Sequence, residues 1–265
     1  MSAAPYDFDA DRAVETVADH RFAAAITDRW NVLGGRPNGG YVMGVCLQAL
    51  TRVLPSPDPL VVSAFFLRPV VPGPAEVRTA VIRSGRRIAT GEATLYQDGK
   101  ESLRVTAAFS DLRQPAGRTV VLAARPELPP PDQAMDLMGG RVIPELSIAQ
   151  RVEYRVAAWP GWARGEPSGR PSQEFWMRFR DGREPDLLSL ASLVDAAAPP
   201  VLELGETGSA TIELTVHLRA HPAPGWLACR VATRFVIGGY HEEDFEIWDS
   251  TGALVAQSRQ LARLP

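Results

Sequence analysis

The sequence has few of the features that mark several common classes of protein. Only two cysteines occur in 265 residues, Cys46 and Cys229, and both lie in apolar stretches far apart along the chain. This arrangement favours buried free thiols over a disulfide or a metal-binding pair. Basic and acidic residues nearly balance, with 28 Lys and Arg against 31 Asp and Glu. The chain therefore lacks the positive charge expected of a protein that binds nucleic acid.

Long apolar segments are also missing. No run of about 18 uncharged apolar residues occurs, and the longest candidate, residues 188–202, is interrupted by Asp195 and by Pro199-Pro200. The N-terminal residues include Asp7 and Asp9 and contain no apolar core of a signal peptide. We therefore expect a cytoplasmic protein that does not bind a membrane.

Sequence motifs of several enzyme classes are absent as well. There is no Gly-x-Ser-x-Gly elbow, which argues against a serine hydrolase of the α/β-hydrolase type. There is no P-loop and no Gly-x-Gly-x-x-Gly fingerprint for a nucleotide. The four histidines do not have the spacing of metal ligands. We therefore expect neither a metal ion nor a cofactor.

The most informative segment that is present is a glycine-rich loop followed by an apolar helix, within residues 31–54. The loop contains Gly34-Gly35 and Gly39-Gly40, and the helix that follows carries almost no charge before the prolines at positions 55, 57 and 59 end it. A helix without a polar side has to be covered by other elements on all sides. The segment predicts a helix enclosed by a curved sheet.

This pattern of a helix and strands occurs twice. The first apolar helix precedes strand-like stretches at 61–68, 76–83, 86–97 and 102–110. A second apolar helix is predicted over residues 187–198, and it precedes strand-like stretches at 209–219, 226–237, 241–249 and 253–263. Between the two halves, residues 113–148 are rich in proline and are interpreted as a linker that includes a short helix around residues 133–138. The predicted organisation is an N-terminal unit over 1–112, the linker over 113–148 and a C-terminal unit over 149–265.

A helix followed by four strands, twice in one chain, indicates a tandem repeat. Two such units can join their edge strands into one continuous sheet and so protect those edges. The predicted fold class is therefore α+β, with two apolar helices each wrapped by an antiparallel sheet and the two sheets joined side by side. A single irregular α+β domain remains the alternative.

An ordered set of short motifs resembles one known family. The motifs are Gly39-Gly40-Tyr41-Val42-Met43-Gly44, Ser63-Ala64-Phe65-Phe66-Leu67-Arg68-Pro69, Gln97-Asp98-Gly99-Lys100, Leu190-Ala191-Ser192-Leu193-Val194-Asp195 and Leu254-Val255-Ala256-Gln257-Ser258-Arg259-Gln260. Together they resemble the TesB-like acyl-CoA thioesterase II family, whose fold is a double hotdog. The resemblance covers most of residues 30–263 apart from the linker.

The resemblance implies hydrolysis of acyl-CoA by a water molecule that an Asp, a Ser or Thr, and a Gln position. The matching residues of this chain are Asp195 on the second apolar helix, Thr211 at the start of the next strand and Gln260 in the last strand. A carboxylate can accept the proton of the water, whereas a hydroxyl and an amide can orient it. Gly39 and Gly40 are candidate substrate-binding residues, because backbone N–H groups at a helix N-terminus can hold an oxyanion.

Simpler interpretations exist for each candidate residue. Asp195 alone is compatible with a helix cap, Thr211 with an ordinary strand position, and Gln260 with an exposed polar side chain. A hydratase of the same fold is disfavoured, because no histidine lies near Asp195. The alternative function is a non-catalytic double hotdog protein that binds an acyl group or CoA. The expected partners are an acyl-CoA substrate and, in a homo-oligomer, further copies of the chain.

Overall fold

A computed structural model describes residues 5–114 and 117–265 of the chain. Residues 1–4 of the predicted N-terminal unit and residues 115–116 of the predicted linker lie outside the described residues. In the described part of the chain, no helix has the length and apolar character needed to cross a membrane.

Three α-helices accompany a large antiparallel sheet in the described part of the chain. The helices are α1 (Asp7–Asp11), α2 (Gly39–Leu50) and α3 (Leu187–Leu193). The strands of the N-terminal half are β1 (Val14–Ala18), β2 (Arg21–Ile26), β3 (Asn31–Val32), β4 (Arg36–Pro37), β5 (Asp58–Phe66), β6 (Gly73–Ser84), β7 (Ala89–Gln97) and β8 (Lys100–Ser110). The remaining strands are β9 (Met135–Asp136), β10 (Val152–Val156), β11 (Ser172–Phe179), β12 (Ala210–Leu218), β13 (Leu227–Ala232), β14 (Val236–Ile237), β15 (Tyr240–Trp248) and β16 (Leu254–Arg263).

One continuous sheet runs through both halves. Its strand order is β1-β2-β6-β7-β8-β5-β12-β16-β15-β13-β11-β10-β9, with β14 beside β15. The halves meet where β5 pairs antiparallel with β12, and Ser63 Oγ lies 2.8 Å from Thr215 Oγ1 across that junction. The predicted α+β architecture of two helix-bearing sheets joined side by side is confirmed.

The two apolar helices pack directly against each other inside the sheet. Two glycines of α2, one helical turn apart, permit this close approach to α3. A Cβ atom at Gly40 would lie 2.2 Å from the carbonyl oxygen of Ser192, and one at Gly44 would lie 2.6 Å from Ser192 Oγ. The Gly-x-x-x-Gly spacing therefore serves the contact between the two repeats, since residues four apart share one helix face.

The second apolar helix is shorter than the sequence predicted. It ends at Leu193 rather than at Ala198, so Asp195 lies in the turn after the helix and not on it. The Asp195 N–H donates to the Ser192 carbonyl and the Ala196 N–H donates to the Leu193 carbonyl. These bonds span three residues instead of four, so the chain forms a tighter turn and leaves the α-helix. Pro199 is extended and Pro200 begins a short 3₁₀ turn, Pro200–Leu204, so the α-helix does not resume after Asp195.

The proline-rich segment also differs from its prediction. Residues 133–138 form no helix; Met135–Asp136 is instead the edge strand β9, paired with β10. Strands β10 and β11 were not predicted, and they extend the sheet of the C-terminal half. The predicted strand over 226–237 is two strands, β13 and β14, separated by a break after Ala232.

Helix α1 connects the N-terminal residues to the start of α3. Phe8 is buried and packs against Trp30 and Phe179. The buried guanidinium of Arg183 donates to both carboxylate oxygens of Asp9 at 2.9 and 3.0 Å and to Asp186 at 2.6 Å. Asp186 is in turn the N-cap of α3. One arginine thus joins the first helix to the helix that precedes Asp195.

Candidate active site

The carboxylate of Asp195 lies at the N-terminus of α2, the helix of the other repeat. Its Oδ2 accepts hydrogen bonds from the backbone N–H of Gly40 at 2.7 Å and from Asn38 Nδ2 at 3.0 Å. Asn38 is also the N-cap of α2, since its Oδ1 accepts from the Tyr41 N–H at 2.9 Å. A carboxylate is stabilised there by the unpaired N–H groups and the dipole of the helix.

The backbone around Asp195 is fixed on both sides. Asn38 Nδ2 donates to the carbonyl oxygen of Asp195 at 2.6 Å, and the buried Tyr154 hydroxyl donates to that of Ala196 at 2.6 Å. Both carbonyls lie beyond the end of α3, and each accepts a hydrogen bond from a side chain distant in sequence. The turn holds the carboxylate in place without being part of a regular element.

The protein environment makes Asp195 a stronger base than an ordinary aspartate. Burial raises the pKa of Asp195 to about 6, because it removes water from the charged form. The hydrogen bonds from Gly40, Asn38 and Gly39 lower the pKa and so oppose the effect of burial. The carboxylate is consequently ionised at neutral pH with a proton affinity suited to general-base chemistry.

Thr211 and Gln260 lie together on the inner face of the C-terminal sheet. Thr211 Oγ1 donates to Gln260 Oε1 at 2.9 Å, and the Gln260 side chain is almost fully buried. Their strands, β12 and β16, are neighbours, and α3 packs against both. Gln260 is therefore not the exposed polar side chain that was one interpretation of the sequence.

A second carboxyl group connects these residues to Asp195. Glu243 of β15 is the direct cross-strand partner of Gln260 and is only 4% exposed. Burial raises the pKa of Glu243 to about 8, the negative charge of Asp195 adds to the rise, and the Gln260 amide opposes it. Asp195, Glu243 and Gln260 thus share one electrostatic environment.

Sequence analysis missed Asn38 and Glu243. Asn38 stands directly before the glycines that begin α2, where asparagine is a preferred N-cap. Glu243 follows the two-residue alternation of β15, in which His241, Phe245 and Ile247 are also buried. An acidic residue at one of the alternate positions of a strand that face the core is unusual, and this is the signal that identifies Glu243.

The structure places both predicted glycines against Asp195. Asp195 Oδ2 would lie 3.0 Å from a Cβ atom at Gly39, whose other close neighbour is the ring of Phe66 at 2.7 Å. The Gly40 N–H already donates to Asp195, so it holds the carboxylate here. A substrate-binding role for the two glycines stays a prediction.

The fold and the site define a double hotdog protein with one carboxylate held between its two repeats. Two family models match the chain, the N-terminal domain of acyl-CoA thioesterases over residues 26–110 and the C-terminal domain over residues 123–264. The chain belongs to this acyl-CoA thioesterase family and is TesB-like.

Solved structures with the same fold cover the whole chain. A candidate thioesterase II from Thermobifida fusca YX is 32% identical with a TM-score of 0.88, and the match covers 100% of both chains. The acyl-CoA thioesterase II TesB2 from Mycobacterium marinum is 18% identical with a TM-score of 0.73, over 97% of this chain and 98% of that one. At that identity the second likeness supports the fold alone.

An uncharacterized protein of Mycobacterium tuberculosis strain H37Rv is also similar to the chain. It is 27% identical over 268 residues, which span 92% of this chain and 91% of that protein.

Proposed function

We propose that the protein hydrolyses acyl-CoA thioesters to the free acid and CoA. The observation that carries the proposal is the Asp195 carboxylate, held by Gly40 and Asn38 at the N-terminus of α2 with its pKa raised to about 6. Membership in the acyl-CoA thioesterase family supplies the substrate class.

In the proposed reaction Asp195 is the general base. The donors converge on Oδ2, which leaves Oδ1 to accept a proton from a water molecule as the water oxygen attacks the thioester carbonyl carbon. The tetrahedral intermediate expels the CoA thiolate, and the proton on Asp195 passes to that sulfur. The products are the acid and the CoA thiol, and Asp195 is ionised again.

Thr211 and Gln260 orient the water in this proposal. Their mutual hydrogen bond fixes both side chains on the inner face of the sheet. Groups that are already fixed lower the entropic cost of ordering the water in the transition state. Neither side chain competes with Asp195 for the proton, because a hydroxyl and an amide are weak bases. Gly39 contributes by its small size, which lets the start of α2 lie against the carboxylate and the Phe66 ring with its backbone accessible to the thioester.

The decisive measurement is release of free thiol from a panel of acyl-CoAs, from acetyl-CoA to palmitoyl-CoA. We expect turnover by the wild type and a loss of at least about 100-fold in kcat/KM in Asp195→Asn, because removing a general base costs that much or more. Thr211→Val and Gln260→Leu should lose about tenfold or more, each with the fold retained.

Asp244→Asn is the matched control. Asp244 lies on the outer face of β15 and is bound to Arg259 at 2.6 Å, so its neutralisation should leave kcat/KM within about twofold of the wild type. Binding of acyl-CoA without thiol release from any member of the panel would contradict the proposal and favour a non-catalytic binding protein.

A further inference from the structure

Buried polar atoms without partners gather on the inner face of the C-terminal sheet, beyond the residues proposed for catalysis. Glu243 Oε2, His241 Nδ1 and Thr233 Oγ1 are buried and form no hydrogen bond among the described residues. Leaving a buried polar group unpaired costs on the order of 1–3 kcal/mol. Each such group in a folded protein therefore calls for a specific explanation, and a catalytic role is one of the recognised kinds.

The strand register places Glu243 at the centre of this group. It lies opposite Gln260 on β16 and two residues after His241 on β15, while Ala232, the last residue of β13, pairs with Asp244. Strand β13 lies on the side of β15 opposite to β16, and Thr233 directly follows its last residue. Among the described residues, Glu243 is the carboxyl-bearing residue paired across the strands with Gln260, the proposed water-orienting amide.

The hydrogen bonding of Gln260 gives Glu243 a specific task. Gln260 Oε1 already accepts from Thr211, which fixes which end of the amide faces Thr211. The opposite end, Nε2, carries two N–H donors, and Glu243, which is paired with Gln260 across the strands, carries an acceptor on the same face. Without a group at position 243 the amide would be held at one end only.

The charge on Glu243 matters because the Glu243 and Asp195 carboxylates repel each other electrostatically. The titratable groups that face Glu243 are Asp195, from the turn after α3, and His241, from its own strand; Gln260 and Thr233 are neutral. His241 donates to or accepts from Ser209 at 2.9 Å, and burial lowers the pKa of His241. His241 is therefore expected to be neutral, which leaves the Asp195 and Glu243 carboxyls to share one negative charge near pH 7.

We propose that Glu243 is a positioning residue of the thioesterase site, which acts in its protonated form by holding the Gln260 amide and by leaving the negative charge on Asp195. This inference rests on the proposed function, since it assigns a fourth residue to the same site. Ionisation of Glu243 adds a second negative charge to the site, beside that of Asp195. Activity should therefore fall when Glu243 loses its proton.

The test compares Glu243→Gln and Glu243→Ala across about pH 5 to about pH 10, with the best acyl-CoA of the panel. The wild type should show an alkaline fall in kcat/KM near pH 8, where Glu243 ionises. In Glu243→Gln, which keeps the shape without the charge, that fall should disappear, and kcat/KM at neutral pH should be higher than in Glu243→Ala. Glu243→Ala removes the shape too, and kcat should drop about tenfold with KM nearly unchanged.

Glu246→Gln is the control on the same strand. Glu246 is only partly buried and lies 3.3 Å from Arg230 on the outer face, so this variant should keep the wild-type pH profile. An alkaline fall in Glu243→Gln identical to that of the wild type would overturn the proposal, as would a Glu243→Ala enzyme as active as Glu246→Gln.

A second readout separates this inference from the proposed function. Titration of the Glu243 carboxyl by carbon-13 NMR needs no turnover and should show its pKa falling in Asp195→Asn, because a neighbouring negative charge is removed. An unchanged titration overturns the coupling even in an active enzyme. A wild type inactive on every acyl-CoA contradicts the proposed function and removes the positioning role of Glu243, whatever the titration shows.

Discussion

Asn38 and Asp195 form a two-point contact between the repeats: one amide nitrogen of Asn38 donates to the carboxylate of Asp195 at 3.0 Å and to its backbone carbonyl at 2.6 Å. The other end of the same amide caps α2. The N-terminal repeat contributes no carboxylate of its own to the site, but it supplies the groups that hold the carboxylate of the C-terminal repeat. The site therefore exists only when both repeats are in contact.

Asn38→Asp tests this contact without removing the cap. An aspartate at position 38 can still accept from the Tyr41 N–H, but it presents a second carboxylate to Asp195 in place of a donor. The pKa of Asp195 should rise by about one unit or more, and the acid limb of kcat/KM should move to higher pH by the same amount. Asn38→Ser, a neutral N-cap, is the control; an equal shift in both variants would show that charge is not the cause.

The raised pKa of Asp195 predicts a cost in stability at neutral pH. The folded-state pKa of about 6 lies above the ordinary value of 3.8, so the unfolded chain releases this proton at lower pH than the folded protein does. The stabilising contribution of the protonated form is present below about pH 4 and is lost as the pH rises through about 6. Relative to Asp195→Asn, the wild type should lose up to about 3 kcal/mol of unfolding free energy over this range.

Urea unfolding of both proteins at about pH 4 and at about pH 7 measures the difference. Asp244→Asn provides a control of opposite sign, because the hydrogen bond from Arg259 lowers the pKa of Asp244. There the wild type should gain stability over its variant as the pH rises. A gap between wild type and Asp195→Asn that does not change with pH would mean that Asp195 titrates as in the unfolded chain.

The elements whose own sequence carries a clear local pattern could be predicted from the sequence. The apolar run after Gly40 and the strand-like stretches at 86–97 and 102–110 each specify their element by composition, and α2 and the paired strands β7 and β8 were found there. Strands β10 and β11 were missed because a 15-residue stretch of loop and 3₁₀ turn separates them, and because mixed polar residues such as Glu153 and Arg178 bind each other across them.

The site was harder to predict because its central contacts join residues far apart in sequence. Asn38 and Asp195 are 157 positions apart, and no local pattern records that the N-terminus of α2 points at the turn after α3. The end of α3 was misplaced for the same reason. The carbonyls of Asp195 and Ala196, just beyond the helix, pair with Asn38 and Tyr154, which the sequence near Ala198 does not reveal.

Arg183 provides a test of stability that is separate from catalysis. Its guanidinium is 7% exposed and binds Asp9 and Asp186, and it lies over the rings of Phe8 and Phe179. Arg183→Met should lower the unfolding free energy by about 2 kcal/mol, because two carboxylates lose a buried donor. Arg234, whose side chain is 61% exposed, gives the control: Arg234→Met should cost less than about 1 kcal/mol.

Activity separates this effect from damage to the site. Arg183 contacts none of the residues proposed for catalysis, so at temperatures well below the unfolding midpoint kcat should stay within about twofold of the wild type. A loss of activity in Arg183→Met while the protein is still folded would indicate that α1 and the start of α3 control the position of Asp195.

A side chain added at Gly40 should reduce both stability and activity. In Gly40→Ala the new methyl group would lie 2.2 Å from the Ser192 carbonyl oxygen and 2.9 Å from Asp195 Cβ, so α2 has to move away from α3 and withdraw its N–H from Asp195. We expect a loss of about 2 kcal/mol or more in unfolding free energy together with a fall of more than about tenfold in kcat/KM. Thermal unfolding and thiol release measure the two effects.

Gly44→Ala separates the packing of the helices from the position of the carboxylate. Its methyl group meets the side-chain hydroxyl of Ser192 at 2.6 Å rather than backbone, and rotation of that hydroxyl relieves most of the clash. Gly44→Ala should therefore be less destabilising than Gly40→Ala and should keep most of its activity, while Gly208→Ala, with open space around it, should match the wild type. If Gly40→Ala and Gly44→Ala lost activity equally, the hydrogen bond from Gly40 to Asp195 would not be what the site requires, and general loosening of the helix pair would explain both.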